Sequence, residues 1–304
     1  MAVGMLLLLP PPVSGAEDYH ASPPPGFRAL FDGRSLVGWH SAPRIGVPAT
    51  AAAGLAAGPT PKPTQAPFAT AARASKGEWE VRDGVILGGQ GSTRLKKPES
   101  GEEWGFGGWL MSDETFGDFE LLVDARPDWP VDTGIYVRST PLGQGFQVLL
   151  DHRGDDTAGI GGGIGALYLR GIGGFRASPH NFRWTVGADG LPHDVKLAPG
   201  SDGVTSVEFA ATESDFRRAW QMNDWNTFRI RVVGELPRIT TWINEVKIYE
   251  CDTARIQHRD YDPTAVKKLL GSRGHLAFEV HDGPSWRWGA GKVSRWRNVY
   301  IKSL

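Results

Sequence analysis

A single cysteine, Cys251, in 304 residues excludes an intramolecular disulfide framework and leaves the redox compartment open. Lying after an apparent strand, it reads as a small packing residue rather than a nucleophile. The chain has no basic block, and its formal net charge is −1, from 33 Lys and Arg against 34 Asp and Glu. Neither nucleic acid nor an anionic membrane surface is therefore indicated as a partner. No stretch approaches the ~20 consecutive apolar residues that a membrane-spanning helix needs. Long amphipathic helical patterns are scarce as well, which argues against a helical bundle.

Glycine (40), proline (22) and tryptophan (12) are plentiful. Gly and Asp punctuate short runs of alternating apolar and polar residues, the pattern of an all-β domain with long loops. Tryptophan in such a domain either packs the core or stacks on the apolar face of a sugar ring. Residues 1–16 hold the short apolar run Met5–Leu9, then Pro10-Pro11-Pro12 and small residues suited to cleavage. They read as a signal peptide or as a disordered leader, the former implying a periplasmic or extracellular protein. Residues 17–25 form a Pro-rich leader, and one β-sandwich domain is expected over 26–304. Within it, residues near 43–75 are dominated by Ala, Pro, Gly and Thr and lack periodicity, which predicts a mobile insertion.

Strands are predicted at Phe27–Gly33, at a hairpin about Asp83-Gly84, at Phe119–Ala125, Gly134–Ser139, Phe146–Asp151 and Trp225–Val233, and at a hairpin about Asn244-Glu245. Ser178–Ser206 reads as a surface excursion. Asp262 followed by Pro263 predicts a short capped helix to Leu270. The last strand, Trp296–Lys302, is expected to pair with an early one. The glycines between Gly154 and Gly174 suit tight turns at the rim of a site, and no GK[ST] signature makes them a phosphate loop. The most informative stretch is Gly274–Gly283. As a strand it directs Leu276, Phe278 and Val280 to one face and His275, Glu279 and His281 to the other. Two imidazoles and a carboxylate on one face mark proton-transfer or metal-binding chemistry, or else a solvated polar face.

The ordered pieces Phe31-Asp32-Gly33 and Trp39, Trp79 and Asp83-Gly84, and Gly117-Asp118-Phe119-Glu120 are followed by Thr133-Gly134-Ile135 with Arg138. Gly165-Ala166-Leu167-Tyr168, Trp225-Asn226, Trp242-Ile243-Asn244, His281 and Arg297-Asn298-Val299-Tyr300-Ile301 complete the series. Together, from about Gly26 to Leu304, they resemble the 3-keto-disaccharide hydrolase domain, common in exported bacterial proteins. The resemblance implies a jelly-roll β-sandwich of the concanavalin-like lectin/glucanase type, with long loop insertions. It also implies an oligosaccharide or 3-keto-glycoside as substrate, cleaved after abstraction of the C2 proton. On that scheme His281 is the base or a metal ligand, with Glu279 and Asp151 as its catalytic partners. His275, Glu279 and His281 would hold a divalent metal (Mn, Zn or Ca) if there is one. Substrate contacts would come from Arg138, Tyr136, Tyr168 and Gln147. Arg138 alternatively pairs with Asp132 or Glu120, and Arg297 fixes the sheet. Two departures stand out. Phe146 and Val148 occupy positions where the family usually carries an acidic residue and Gln, and Glu279 stands where it usually carries Gln. The first motivates an alternative: a non-catalytic carbohydrate-binding module of the same fold. The long Ala/Pro and Gly loops suggest a third reading, a structural or partner-binding domain.

Overall fold

A computed structural model describes residues 22–57, 65–150, 152, 160–161, 163–200 and 206–304. The 1–16 leader and Asp151 lie outside the described residues, and of the 17–25 segment only 22–25 fall within them. The protein is a jelly-roll β-sandwich built from antiparallel sheets. Among the described residues, one sheet of nine strands runs in spatial order Phe209–Ala210, Val246–Asp252, Arg238–Ile243, Asn226–Val233, Phe119–Pro127, Val293–Ser303, Val85–Gly89 and Glu78–Arg82, with Arg28–Ala29 also paired to Val293–Ser303. A sheet of seven runs Arg176–Ala177, Leu167–Arg170, Gly145–Leu149, Gly134–Ser139, Gly274–Val280, Gly108–Phe116 and Trp39–Pro43.

Alternation with period two puts Leu121, Val123, Phe228, Ile230 and Val232 of the first sheet into the core, facing Ile135, Val137, Phe146, Val148, Leu276 and Phe278 of the second. Trp39 stacks on Phe278 at 5.3 Å between centroids, and Phe278 on Trp296 at 4.8 Å, joining the two sheets through one column of rings. Cys251 is fully buried in this core, and burial pushes its thiol pKa up to about 11, so it packs rather than reacts.

The hairpin turns fall where expected. Asp83 and Gly84 have φ of 50° and 75°, and Asn244 and Glu245 have 47° and 68°, the left-handed pair that a two-residue hairpin turn requires. Helix Pro263–Leu270 starts with Pro263, and the Asp262 carboxylate accepts from the backbone N–H groups of Thr264 and Ala265. Val293–Ser303 pairs with the early strand Arg28–Ala29. Only those two residues of Phe27–Gly33 are strand, because Asp32 turns the chain by accepting from the N–H groups of Arg34 and Ser35.

One expectation needs correction, and a second segment holds elements that its composition did not signal. Ser178–Ser206 contains the strands His180–Val186 and Pro192–Pro199, which pair with each other and, through the first, with Ile160–Gly161. Their Phe182, Trp184 and Val195 enter the main core, so the segment is a third layer and not an excursion. Residues 43–75 carry helices Ala51–Ala57 and Phe68–Ala74. Ala51 is buried in the main core, and Phe68 and Ala72 pack on Phe106. A few well-placed apolar residues suffice to dock the described parts of this segment, 43–57 and 65–75; residues 58–64 lie outside the described residues.

His152 follows the strand Gly145–Leu149 and is buried in a tryptophan cage, its ring 5.4, 5.5 and 5.8 Å from those of Trp129, Trp184 and Trp220. Burial lowers its pKa from 6.5 to about 4. The stability held by keeping this ring neutral is present above pH 6.5 and is lost as pH falls toward 4, because the unfolded chain takes the proton first. The loss is on the order of 3 kcal/mol. Thermal unfolding followed from pH 7 to pH 4.5 should show a steep fall in Tm that His152→Leu makes shallower; parallel curves for the two proteins would refute the assignment.

Candidate functional site

The face of the seven-stranded sheet that points away from the core is itself covered. Trp109, Met111, Tyr136 and Ala277 form a small buried cluster there, and Gln147 and Glu279 lie among them, buried. Glu279 comes from Gly274–Val280, where alternation puts Ala277 and Glu279 on this face while Leu276 and Phe278 face the core. Val280 packs with Val131 and Trp288 instead of joining the main core. Gln147 reaches Glu279 because position 134 is glycine. A Cβ there would lie 2.4 Å from the Gln147 amide nitrogen, too close for any side chain.

The polar network is continuous. The Tyr136 hydroxyl donates to Gln147 Oε1 (2.8 Å), and Gln147 Nε2 donates to Glu279 Oε2 (2.8 Å). Glu279 Oε1 accepts from Arg44 Nε at 2.6 Å. Arg44 also donates to Asp282 Oδ1 (2.5 Å) and to His281 Nε2 (2.7 Å). His281 Nδ1 lies 2.5 Å from the Asp282 carbonyl, and a carbonyl can only accept, so Nδ1 carries the proton and Nε2 the lone pair. A second guanidinium, Arg287, approaches that same Nε2 at 3.3 Å. Asp132 stands 3.4 Å from Arg287 Nε and 3.8 Å from His281 Nε2. Gln90 Nε2 donates to the His281 carbonyl at 2.7 Å and fixes the backbone behind the imidazole.

Burial, then the neighbouring charges of Arg44 and Arg287, hold the His281 pKa well below its usual value, so the ring is neutral at pH 7. Burial alone would lower the Arg44 pKa, but Asp282 and Glu279 more than offset it and the net direction is up. Arg170 lies beside this group and its pKa is lowered, first by burial and then by Arg44. Its guanidinium donates to the carbonyls of Leu142, Gly143 and Ile45, tying down the chain just beyond Arg44. Tyr136 is held well above its usual pKa by burial and by Glu279 and so stays a hydroxyl donor. A cavity of about 140 Å³ opens over the network, lined by Arg44, Asp132, Gln147, Leu149, Tyr168, Arg176, His281 and Arg287.

Of the residues singled out in the sequence, His281, Glu279, Gln147, Tyr136 and Tyr168 come together. Glu279 and Tyr136 form the support beneath the cavity, while His281, Gln147 and Tyr168 line it. Arg138 does not join them. It has a left-handed φ of 53° and is buried. Its guanidinium donates to Asp118 and the Gly234 carbonyl, both at 2.9 Å, and to the Ser272 carbonyl. Its partner is thus Asp118; Asp132 pairs with Arg287, and Glu120 with Arg229 and Arg231. Arg297 fixes the sheet through Asp124 at 3.2 Å and lies over Trp225.

His275 also stands apart. The pairing shifts between His275 and Ala277, and six residues of extended chain separate it from His281 by about 20 Å. Its Nδ1 donates to the Ser112 carbonyl at 2.7 Å, beside His40. The set His275, Glu279 and His281 therefore does not converge, and among the described residues no three His, Cys, Asp or Glu side chains are grouped to hold a metal. At His281 one nitrogen is protonated and the other faces two guanidinium groups, an arrangement unsuited to a cation.

Phe146 and Val148 point into the core, with Gln147 between them facing the site. Their apolar character follows from that orientation and does not reveal a degraded site. Arg44, Asp132, Arg176, Asp282 and Arg287 were missed as site residues. Arg44 lies in a compositionally bland segment, and the only local hint for Asp282 is its place next to His281.

In sequence, residues 26–302 match the model of the 3-keto-alpha-glucoside-1,2-lyase-like domain. No curated protein matches significantly. Among solved structures, a candidate glycosyl hydrolase from Parabacteroides distasonis is 15% identical, covering 92% of this chain and 94% of that one with a TM-score of 0.43. The Bacillus licheniformis beta-glucanase is 12% identical over 74% of this chain and 82% of its own, with a TM-score of 0.36. The carbohydrate-binding module CBM66 from Bacillus subtilis is 12% identical over 70% and 92%, with a TM-score of 0.33. The first of these comparisons spans nearly the whole chain, and by it the protein belongs to the 3-keto-alpha-glucoside-1,2-lyase-like family of carbohydrate-active domains.

Proposed function

We propose that the protein cleaves 3-keto-glycosides by removing the proton at C2 and expelling the substituent at C1. The observation that carries this reading is a neutral, largely buried imidazole whose lone pair is flanked by two guanidinium groups at the wall of a small cavity. A ketone at C3 acidifies the C2–H bond. As substrate enters, the Arg44 and Arg287 N–H groups turn from the His281 Nε2 lone pair to the C3 oxygen. Nε2 then takes the C2 proton while the two guanidinium groups stabilise the negative charge that gathers on that oxygen. The electron pair then forms the C1–C2 double bond and the C1–O bond breaks. An imidazolium pressed between two guanidinium groups is a strong acid, so His281 returns the proton to the departing oxygen. Addition of water across the double bond completes hydrolysis; release of the unsaturated sugar completes a lyase reaction. This differs from ordinary glycoside hydrolysis, which needs two opposed carboxylates around an oxocarbenium-like state. Glu279 and Gln147 act as positioning residues for Arg44.

The test is release of the aglycone from a 3-keto-α-glucoside and from its unoxidised counterpart, with divalent metal added or chelated. Cleavage is expected only of the keto sugar, and the sugar recovered from D₂O should carry deuterium at C2 if water adds, or no hydrogen at C2 if the unsaturated sugar is released. Equal cleavage of both sugars, or of neither, would remove the proposal. Saccharide binding without turnover would instead select the non-catalytic binding module.

A further inference from the structure

The cavity at His281 measures about 140 Å³, well below the roughly 300–1,000 Å³ of pockets that engulf a drug-sized ligand. A cavity that small does not enclose both rings of a disaccharide, so at least one of them lies at its mouth. Arg287 lines the cavity, and its guanidinium carbon sits 5.1 Å over the ring of the preceding residue, Trp286. Trp286 is partly exposed, and its indole N–H donates to Glu102 at 3.1 Å. Glu102 directly precedes the strand Glu103–Gly105. That strand is joined to the segment after His281 by reciprocal backbone hydrogen bonds of 2.9 and 3.0 Å between Gly105 and Gly283. A partly exposed aromatic ring is thus held in place by a guanidinium group, a hydrogen bond and a docked strand, one residue along the chain from Arg287 in the cavity wall. Held, half-exposed indole faces meet the C–H faces of sugars at low entropic cost.

We propose that Trp286 is the platform of an outer subsite that stacks the sugar leaving from C1, making the protein selective for disaccharides over simple alkyl glycosides. The identity of the inner ring rests on the functional reading above; the platform itself requires only that a disaccharide bind. The experiment compares kcat/KM for a 3-keto-α-glucosyl-glucose with that for methyl 3-keto-α-glucoside in the full chain, in W286A and in W286F. The preference for the disaccharide should fall about tenfold in W286A, through KM rather than kcat, and recover to within about threefold in W286F. An unaltered preference in W286A, or equal losses on both substrates, overturns the proposal. Should the unsubstituted protein turn over neither, the functional reading fails, and calorimetric titration with unoxidised α-glucosyl-glucose decides. Binding about tenfold weaker in W286A retains the platform. Binding that is absent from the unsubstituted protein, or indifferent to the substitution, overturns it.

Discussion

Glu279→Ala should cost about 3–5 kcal/mol of folding stability, the usual penalty for breaking a buried ion pair from one side. Glu279 is completely buried, and its two carboxylate oxygens bind the Arg44 guanidinium at 2.6 Å and the Gln147 amide at 2.8 Å. Without it, Gln147 loses an acceptor and Arg44 keeps Asp282 as its carboxylate partner among the described residues. Glu279→Gln preserves the shape and a hydrogen-bond acceptor but not the charge, so its loss should be smaller. Denaturant unfolding at pH 7 measures both. A midpoint for Glu279→Ala equal to that of the unsubstituted protein would mean that the network carries no stability, and the account of Arg44 positioning would go with it.

His281→Gln should lower kcat for a 3-keto-glucoside by about 10²–10⁴-fold, the range expected when a general base is removed. The pH profile supplies a second signature. His281 works as a base only when neutral, and its pKa is held well below 6.5 by burial and by Arg44 and Arg287. The rate should therefore stay level as pH falls through the ordinary histidine range and drop only at lower pH. Because His152 is expected to weaken the fold over the same acid range, the profile is best taken as initial rates after brief exposure. An acid limb centred at the ordinary histidine value would place the base elsewhere.

Much of the sandwich was legible because period-two alternation and left-handed turn residues are local. Phe228, Ile230 and Val232 announce their face, and Asp83-Gly84 and Asn244-Glu245 announce their turns. The site was legible only in part. Glu279 and His281 were visible as neighbours on a polar face, but strict alternation also placed His275 with them, and the register shift after it is set by pairing with Gly108–Phe116. No local pattern encodes that shift. Arg44 was harder still. It follows the edge strand Trp39–Pro43 and reaches residues more than 230 positions along the chain, a distance over which neither periodicity nor spacing carries information.

In both large sheets an interior strand is supplied by the final stretch of the chain: Gly274–Val280 lies between Gly134–Ser139 and Gly108–Phe116, and Val293–Ser303 between Phe119–Pro127 and Val85–Gly89. During synthesis, each sheet therefore exists as two halves with open edges until these last strands leave the ribosome. The sandwich therefore closes only once residues 274–303 have emerged, and chains cut or stalled before Gly274 are the forms most exposed to edge-to-edge aggregation.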